Sequence, residues 1–169
     1  MSVEALKLLP LDIHKHWGVI RAALAASLPP TFSGNAVDAL PRIQKALIED
    51  LMQCWVLKQD HEATTVVITM ISGDIMAMEK DLMIYAMYSI GENGASMEAL
   101  AHGWEVLLRY ARGVGCNRLT FYTDKDEIIK LAERASGGEV YVQKYAAVPV
   151  NTPELVEVSL EENDNGRRR

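Results

Sequence analysis

Three side chains along one predicted strand could take part in proton transfer. Glu79 and Asp81 place two carboxylates near the start of the strand predicted over residues 81–90, and Tyr85 lies in its middle. A carboxylate beside an amine can act as the general base that removes its proton. These three are candidate catalytic residues by location only. The favoured interpretation is that the acids are solvated turn residues and that the tyrosine is packed.

The histidines and cysteines do not form a metal or redox motif. His14 and His16 are two residues apart, so on a helix they would point to different faces, and no metal site is predicted. Cys54 and Cys116 fall in separate predicted strands, which favours two buried free thiols in a reducing cytosol over a disulfide. The sequence also contains no Walker loop, no zinc-type spacing and no nucleophile elbow.

The element that would position the candidate residues is a βαβ unit over residues 81–123. A strand over 81–90 is followed by a turn at 91–94, an amphipathic helix from Ser96 to about Arg112, and a second strand over 116–123. Apolar residues recur at steps of three and four in the helix, and Ser96 is a favourable N-cap. A parallel return to the sheet needs such a crossover. Ligands of such units bind at the turn between strand and helix.

The flanking segments predict the rest of a mixed sheet. We expect a first strand that closes at Pro10 and a helix from its cap at Asp12 through Ala26. A second helix follows; Pro41 fits it only in the first turn, which would put the helix start at Leu40. Strands over 52–58 and 63–71 would form an antiparallel meander with 81–90. A helix capped by Asp124 and ended by residues 137–138, and a strand over 139–145, complete the pattern.

Composition indicates one domain and excludes several partners. The 169 residues are 49% apolar, and no linker divides residues 1–148, so we expect one domain followed by a charged tail over 149–169. The net charge of −6 argues against nucleic acid, whose phosphates are bound largely by Lys and Arg. No signal peptide and no membrane span are predicted, and we expect a cytoplasmic protein.

The order of elements resembles the GNAT (general N-acetyltransferase) superfamily, an α/β (α+β mixed sheet) fold. The resemblance covers about residues 6–145, and its most specific part is the Tyr-Ala-Arg-Gly-Val-Gly-Cys run that ends the central helix at Cys116. Family members that use acetyl-CoA carry an Arg/Gln-x-x-Gly-x-Gly/Ala signature where that helix begins. There the backbone N–H groups of the helix N-terminus receive the pyrophosphate of the cofactor.

This chain departs from the family at the positions that matter for chemistry. The signature falls on residues 95–100, where Ala95 replaces the arginine and Glu98 and Leu100 replace the glycines. A carboxylate would repel a pyrophosphate, so no cofactor is expected. Ala132 stands where many relatives place a tyrosine acid. If acetyl-CoA binds after all, the resemblance and the turn glycines place it on residues Ile90, Gly91, Asn93, Gly94, Ala95 and Ser96.

The sequence is compatible with two functions. The favoured one is a non-catalytic GNAT-fold protein that contacts other protein subunits, similar to GNAT-like proteins of tailed-bacteriophage structural gene clusters, with the tail as a docking segment. The other is an acetyl-CoA-dependent N-acyltransferase with a divergent loop. The methionines in or beside the strands indicate a plastic core, or alternatively an adaptable protein-binding surface. They are Met70, Met76, Met78, Met83 and Met87.

Overall fold

The computed structural model describes residues 2–28, 35–74, 76, 78–91, 94–123, 125–137 and 140–142. These residues form nine helices and strands in the order β-α-α-β-β-β-α-β-α. They are β1 (Val3–Lys7), α1 (Pro10–Ser27), α2 (Ala36–Ile48), β2 (Met52–Gln59), β3 (Glu62–Asp74), β4 (Glu79–Ser89), α3 (Met97–Gly113), β5 (Arg118–Phe121) and α4 (Asp126–Ser136).

The five strands form one mixed sheet in chain order, β1-β2-β3-β4-β5. The first four strands are mutually antiparallel, and β5 pairs parallel to β4. The α/β (α+β mixed sheet) class, the meander and the βαβ unit are therefore confirmed. Asp60 and His61 join β2 to β3 and both have positive φ, the combination that a two-residue type I′ hairpin turn requires.

Two apolar clusters hold the helices on the sheet. One cluster contains side chains of α1 and α2 with Cys54, Ile68 and Ala86 of the sheet. The other contains side chains of α3 and α4 with Trp55, Leu82 and other sheet residues. Each strand alternates its side chains between two faces. The two clusters therefore lie on opposite faces of the sheet, with α1 and α2 on one and α3 and α4 on the other.

Several predicted boundaries were wrong at the first two helices. Pro10 does not close β1: the strand ends at Lys7, and Pro10 is the first residue of α1 with Leu9 as N-cap. A proline is well suited to that position because its missing N–H would have no helical acceptor. Asp12 lies in the first turn and is not the cap. Helix α2 starts at Ala36, because Asn35 Oδ1 accepts from the Val37 amide at 2.9 Å.

The other predicted ends agree better with the structure. Ser96 caps α3 and accepts from the Ala99 amide at 3.2 Å, as predicted. Gly137 ends α4 in the left-handed conformation with a φ of 81°. Lys125 is the N-cap of α4, with no side-chain cap bond, while the predicted cap, Asp124, lies outside the described residues. Of the strand predicted over 139–145, residues 140–142 are in no regular element, and the others lie outside the described residues.

Candidate functional site

The turn between β4 and α3 has a backbone that a ligand could approach closely, but some of its N–H groups already have hydrogen-bond acceptors within the chain. Gly91 and Gly94 have φ values of 78° and 56°, which side chains rarely adopt. The Ser96 amide, however, donates to Gln59 Oε1 at 3.3 Å, and the Ser96 hydroxyl accepts from Ala99. Two of the donors around the start of α3 are therefore already paired within the chain. Asn93 lies outside the described residues.

Side chains in the first turn of α3 oppose a phosphate ligand. Glu98 is exposed in that turn, where its carboxylate already interacts favourably with the positive end of the helix dipole. Leu100 points inward and lines a cavity between α3 and the sheet. Ile90 packs against the cluster of α1 and α2. Glu98 and Leu100 therefore do not provide the glycine cradle that a pyrophosphate needs at the first turn of α3, and no catalytic step through acetyl-CoA follows from them.

The pairing of the parallel strands β4 and β5 ends before this turn. It runs from Asp81 opposite Arg118 to Ile84 opposite Phe121, where β5 ends, whereas β4 continues to Ser89. Tyr85 is the extra residue of a β-bulge, because Ile84 pairs with Thr69 and Ala86 with Ile68. A bulge bends its strand and increases the local twist, and this one directly follows the last β4–β5 pair.

Tyr85 lies at the bulge but is not activated as a base. It is half-buried and packs against the cluster of α1 and α2. Burial raises the pKa of its hydroxyl, so the neutral phenol is favoured. Tyr85 could donate a hydrogen bond, but at neutral pH it would not remove a proton from an amine.

The two candidate carboxylates share one arginine that sequence reasoning missed. Asp81 accepts from Arg118 Nε at 2.8 Å and from Nη2 at 3.1 Å, and Glu79 lies 2.9 Å from the same guanidinium. Asp81 is eight residues from Ser89, which corresponds to about 26 Å along a strand. Both acids thus lie at the end of the sheet opposite the start of α3. The signal was available in part, since Arg118 opens the predicted partner strand.

The other positions considered in the sequence are buried. Ala132, at the tyrosine position, is buried in the α3 and α4 cluster. Cys54 and Cys116 are free and buried, as predicted, and burial raises the pKa of Cys54 to about 12. Among the described residues, no group of three or more His, Cys, Asp or Glu side chains could hold a metal ion.

Exposed apolar residues collect at the end of the sheet that carries Asp81. The Leu8 amide donates a hydrogen bond to the Cys54 carbonyl, and Met52 pairs with Met70 across β2 and β3. The residues next to these contacts therefore lie at this end, namely Leu9, Leu51 and Ile71. The β3–β4 hairpin continues four residues past Met70, by about 13 Å. We call this surface the apolar end. It comprises Leu9, Leu11, Leu51, Ile71, Met76 and Met78.

Methionines dominate the tip of that hairpin. Met76 is 93% exposed and Met78 is 87% exposed, and Met78 has a positive φ of 56°. Met70, Met83 and Met87 are instead half-buried, and Met70 and Met87 each pack against one of the two apolar clusters. The plastic-core prediction thus fits these two, and the tip methionines fit the alternative of an adaptable surface. Within the described part of the chain, no helix combines the length and apolarity needed to cross a bilayer.

Comparison with known proteins identifies the fold. No protein-family model and no curated protein matches the sequence. A solved structure of a probable acetyltransferase is similar with a TM-score of 0.64 and 13% identity, over 88% of this chain and 99% of that chain. Ribosomal-protein-alanine N-acetyltransferase from Brucella melitensis biovar Abortus 2308 gives 0.60 and 14%, over 90% and 100%. Aminoglycoside N-acetyltransferase AAC(6')-Iy, solved with CoA, gives 0.58 and 12%, over 88% and 95%.

The chain therefore has the GNAT-like acyl-CoA N-acyltransferase fold, as the sequence resemblance implied. At 12–14% identity, these likenesses establish the fold alone. What the protein does must be argued from its own residues.

Proposed function

We propose that this protein is a non-catalytic GNAT-fold module that acts by binding other protein subunits. The observation that carries the proposal is the first turn of α3, where an exposed carboxylate, Glu98, stands in place of the phosphate-binding glycine of the family signature. A like charge at this point weakens the binding of a pyrophosphate instead of strengthening it.

The apolar end supports the binding half of the proposal. Large exposed apolar side chains that collect on one surface are typical of protein-interaction sites, and methionine adapts to varied partners. The charged groups beside this surface are paired, Lys7 with Asp50 and Arg118 with both Asp81 and Glu79. Two cations against three carboxylates leave one excess negative charge beside the apolar surface, a small part of the −6 that the whole chain carries.

The finer form of the proposal is that the partner is a subunit of a tailed-phage particle. That form rests on the sequence resemblance alone. The tail over 149–169, which lies outside the described residues, is the second docking segment proposed from sequence. A host-cytoplasmic location before assembly belongs to the same proposal.

One observation favours the alternative, an acetyl-CoA-dependent N-acyltransferase. Gly91 and Gly94 both adopt left-handed conformations in the loop just before α3, which follows the part of β4 that no longer pairs with β5. That loop could approach a phosphate closely through its backbone. Under this hypothesis the cofactor would lie against residues Ile90 to Ser96, short of Glu98.

Calorimetry with CoA and acetyl-CoA tests the cofactor half of the proposal. We expect no heat of binding and no rise in melting temperature at millimolar ligand. A ligand present at 100 times its Kd would stabilise the native state by about 2.7 kcal/mol, so even weak binding would be visible. A melting temperature that rises with CoA concentration would refute the proposal and favour the acyltransferase.

A methionine-matched pair of variants tests the binding half. The partner is first recovered from the native host and identified by mass spectrometry, and its affinity for purified variants is then measured. The double variant Met76→Glu with Met78→Glu should lose binding at least tenfold. Met97→Glu, at a half-exposed position at the opposite end of the sheet, should not. Equal affinity for all three proteins would show that the apolar end is not the docking surface.

A further inference from the structure

A small cavity lies between α3 and the sheet. Its volume is about 40 Å³, and its lining is almost entirely apolar. Leu100, Gly103 and Trp104 of α3 line one side, and Leu57 and Thr65 of the sheet line the other. Gly103 places no side chain on this lining, and a Cβ built there would lie 3.4 Å from Leu57 Cδ1, an ordinary contact distance.

Two of the residues that line this cavity each carry a buried polar atom with no hydrogen-bond partner among the described residues. The atoms are Thr65 Oγ1 and Trp104 Nε1. Thr65 is 0% exposed and Trp104 is 7% exposed, so bulk water does not solvate either side chain well. Buried polar groups in proteins are nearly always paired, and each exception calls for an explanation.

A second threonine and tryptophan in the same core are hydrogen-bonded to each other. Trp55 Nε1 donates to Thr69 Oγ1 at 3.0 Å, and Thr69 Oγ1 donates to Gln53 Oε1 at 3.1 Å. Thr69 is as deeply buried as Thr65. A threonine and a tryptophan of this core, Thr69 and Trp55, are therefore hydrogen-bonded to each other, whereas Thr65 and Trp104 line one cavity without hydrogen-bond partners among the described residues.

We propose that this cavity is a binding site for internal water, in which one water molecule joins Thr65 to Trp104. The water accepts from the Trp104 indole N–H and exchanges a second hydrogen bond with the Thr65 hydroxyl. A water molecule needs about 10–15 Å³ of space and two or more polar partners, and the cavity supplies both. The bridge links β3 to α3 and satisfies both orphan groups.

Volume and lining exclude the other ligand classes. An apolar cavity that holds benzene measures about 150 Å³, several times the space available here. An ion would lose its hydration among apolar side chains without a charged partner. A small neutral molecule that both donates and accepts is the ligand that the site can take.

Two pairs of variants that differ by one hydroxyl test the site through stability. The wild-type Thr65 is compared with Thr65→Val, and Thr65→Ser is compared with Thr65→Ala. If water bridges the pair, the hydroxyl member of each pair is favoured, with a folding equilibrium constant about fivefold higher. If the cavity is dry, the hydroxyl is an unpaired buried group, and the Val and Ala members are equal or more stable. That second result would overturn the proposal.

A direct measurement keeps the proposal testable if a variant fails to fold. In the wild-type protein, the Trp104 indole proton, assigned with Trp104→Phe, should show a nuclear Overhauser effect to a long-lived water molecule. Absence of that effect, together with xenon binding in the cavity, would identify a dry apolar void and refute the hydration site. Neither readout depends on acyl transfer or on a protein partner, so the outcome is separate from that of the proposed function.

Discussion

Replacing Thr69 with valine removes the hydroxyl that connects three buried side chains. The Thr69 oxygen accepts from Trp55 Nε1 at 3.0 Å and donates to Gln53 Oε1 at 3.1 Å, and Gln53 Nε2 continues the chain to the Asp50 carbonyl at 3.2 Å. Valine has nearly the same shape, so the change removes hydrogen bonds without opening a cavity. The indole N–H and the amide oxygen are left buried and unpaired.

The size of the effect follows from those two groups. Each unpaired buried group costs about 1–3 kcal/mol, and the added methyl returns about 0.8 kcal/mol. We expect Thr69→Val to lower the free energy of unfolding by about 1–5 kcal/mol. For a chain of this length, that corresponds to a fall in melting temperature of about 2–20 °C. The Asp50 turn precedes Leu51, so the network also supports one edge of the apolar end.

Urea unfolding of the two proteins measures this loss as a shift in midpoint at constant slope. The control is Thr64→Val, because the Thr64 hydroxyl makes one hydrogen bond, to the Leu57 carbonyl at 3.2 Å, from a part-buried position. That variant should lose about 1 kcal/mol or less. A Thr69 variant within about 0.5 kcal/mol of the wild type would show that the network contributes no net stability.

Three further predictions concern the thiol, the turn and the ion pairs. The folded Cys54 thiol has a pKa of about 12, against an ordinary 9.0, so the unfolded chain loses this proton at lower pH than the native protein does. The free energy of unfolding should therefore fall between pH 9 and 12, by up to about 4 kcal/mol. Cys54→Ala should flatten that part of the pH profile in chemical unfolding, and an unchanged profile contradicts the assignment. Gly94→Ala should cost about 1–2 kcal/mol in thermal unfolding, because φ is 56° and the new Cβ would lie 3.3 Å from Ser89 Cβ; no loss would mean that the turn relaxes freely. Arg118→Met should lower the free energy of unfolding by about 1 kcal/mol or less, because the ion pair with Asp81 is partly solvated. The same variant should stay at background in a thiol-release assay with acetyl-CoA. Activity that appears once Asp81 has lost its arginine would restore the catalytic hypothesis.

The sequence predicted the elements whose signals are local. The spacing of apolar residues with the Ser96 cap placed α3 almost to the residue, since period and capping act within a few residues of each other. The α/β (α+β mixed sheet) class followed from the order of those elements. The start of α1 was wrong because Pro10 is compatible both with the end of a strand and with the first turn of a helix.

Features that depend on pairing between distant segments were not predicted. The bulge at Tyr85 depends on register with β3, and the neutralisation of Asp81 depends on β5 bringing Arg118 beside it. The orphan state of Trp104 is likewise a property of the packed core. Such contacts join residues 15 or more positions apart, so no local pattern encodes them. The departure at Glu98, by contrast, was visible in the sequence, and the structure places it in the first turn of α3.

The left-handed conformation of Met78 implies a conflict between folding and recognition at the hairpin tip. A bulky residue with a φ of 56° costs about 1–2 kcal/mol relative to glycine, and an 87% exposed side chain recovers little of that cost by burial. Met78→Gly should therefore raise the melting temperature while weakening the partner complex. An engineer who optimised this chain for thermal robustness would select that change first and would thereby remove an apolar side chain from the proposed docking surface.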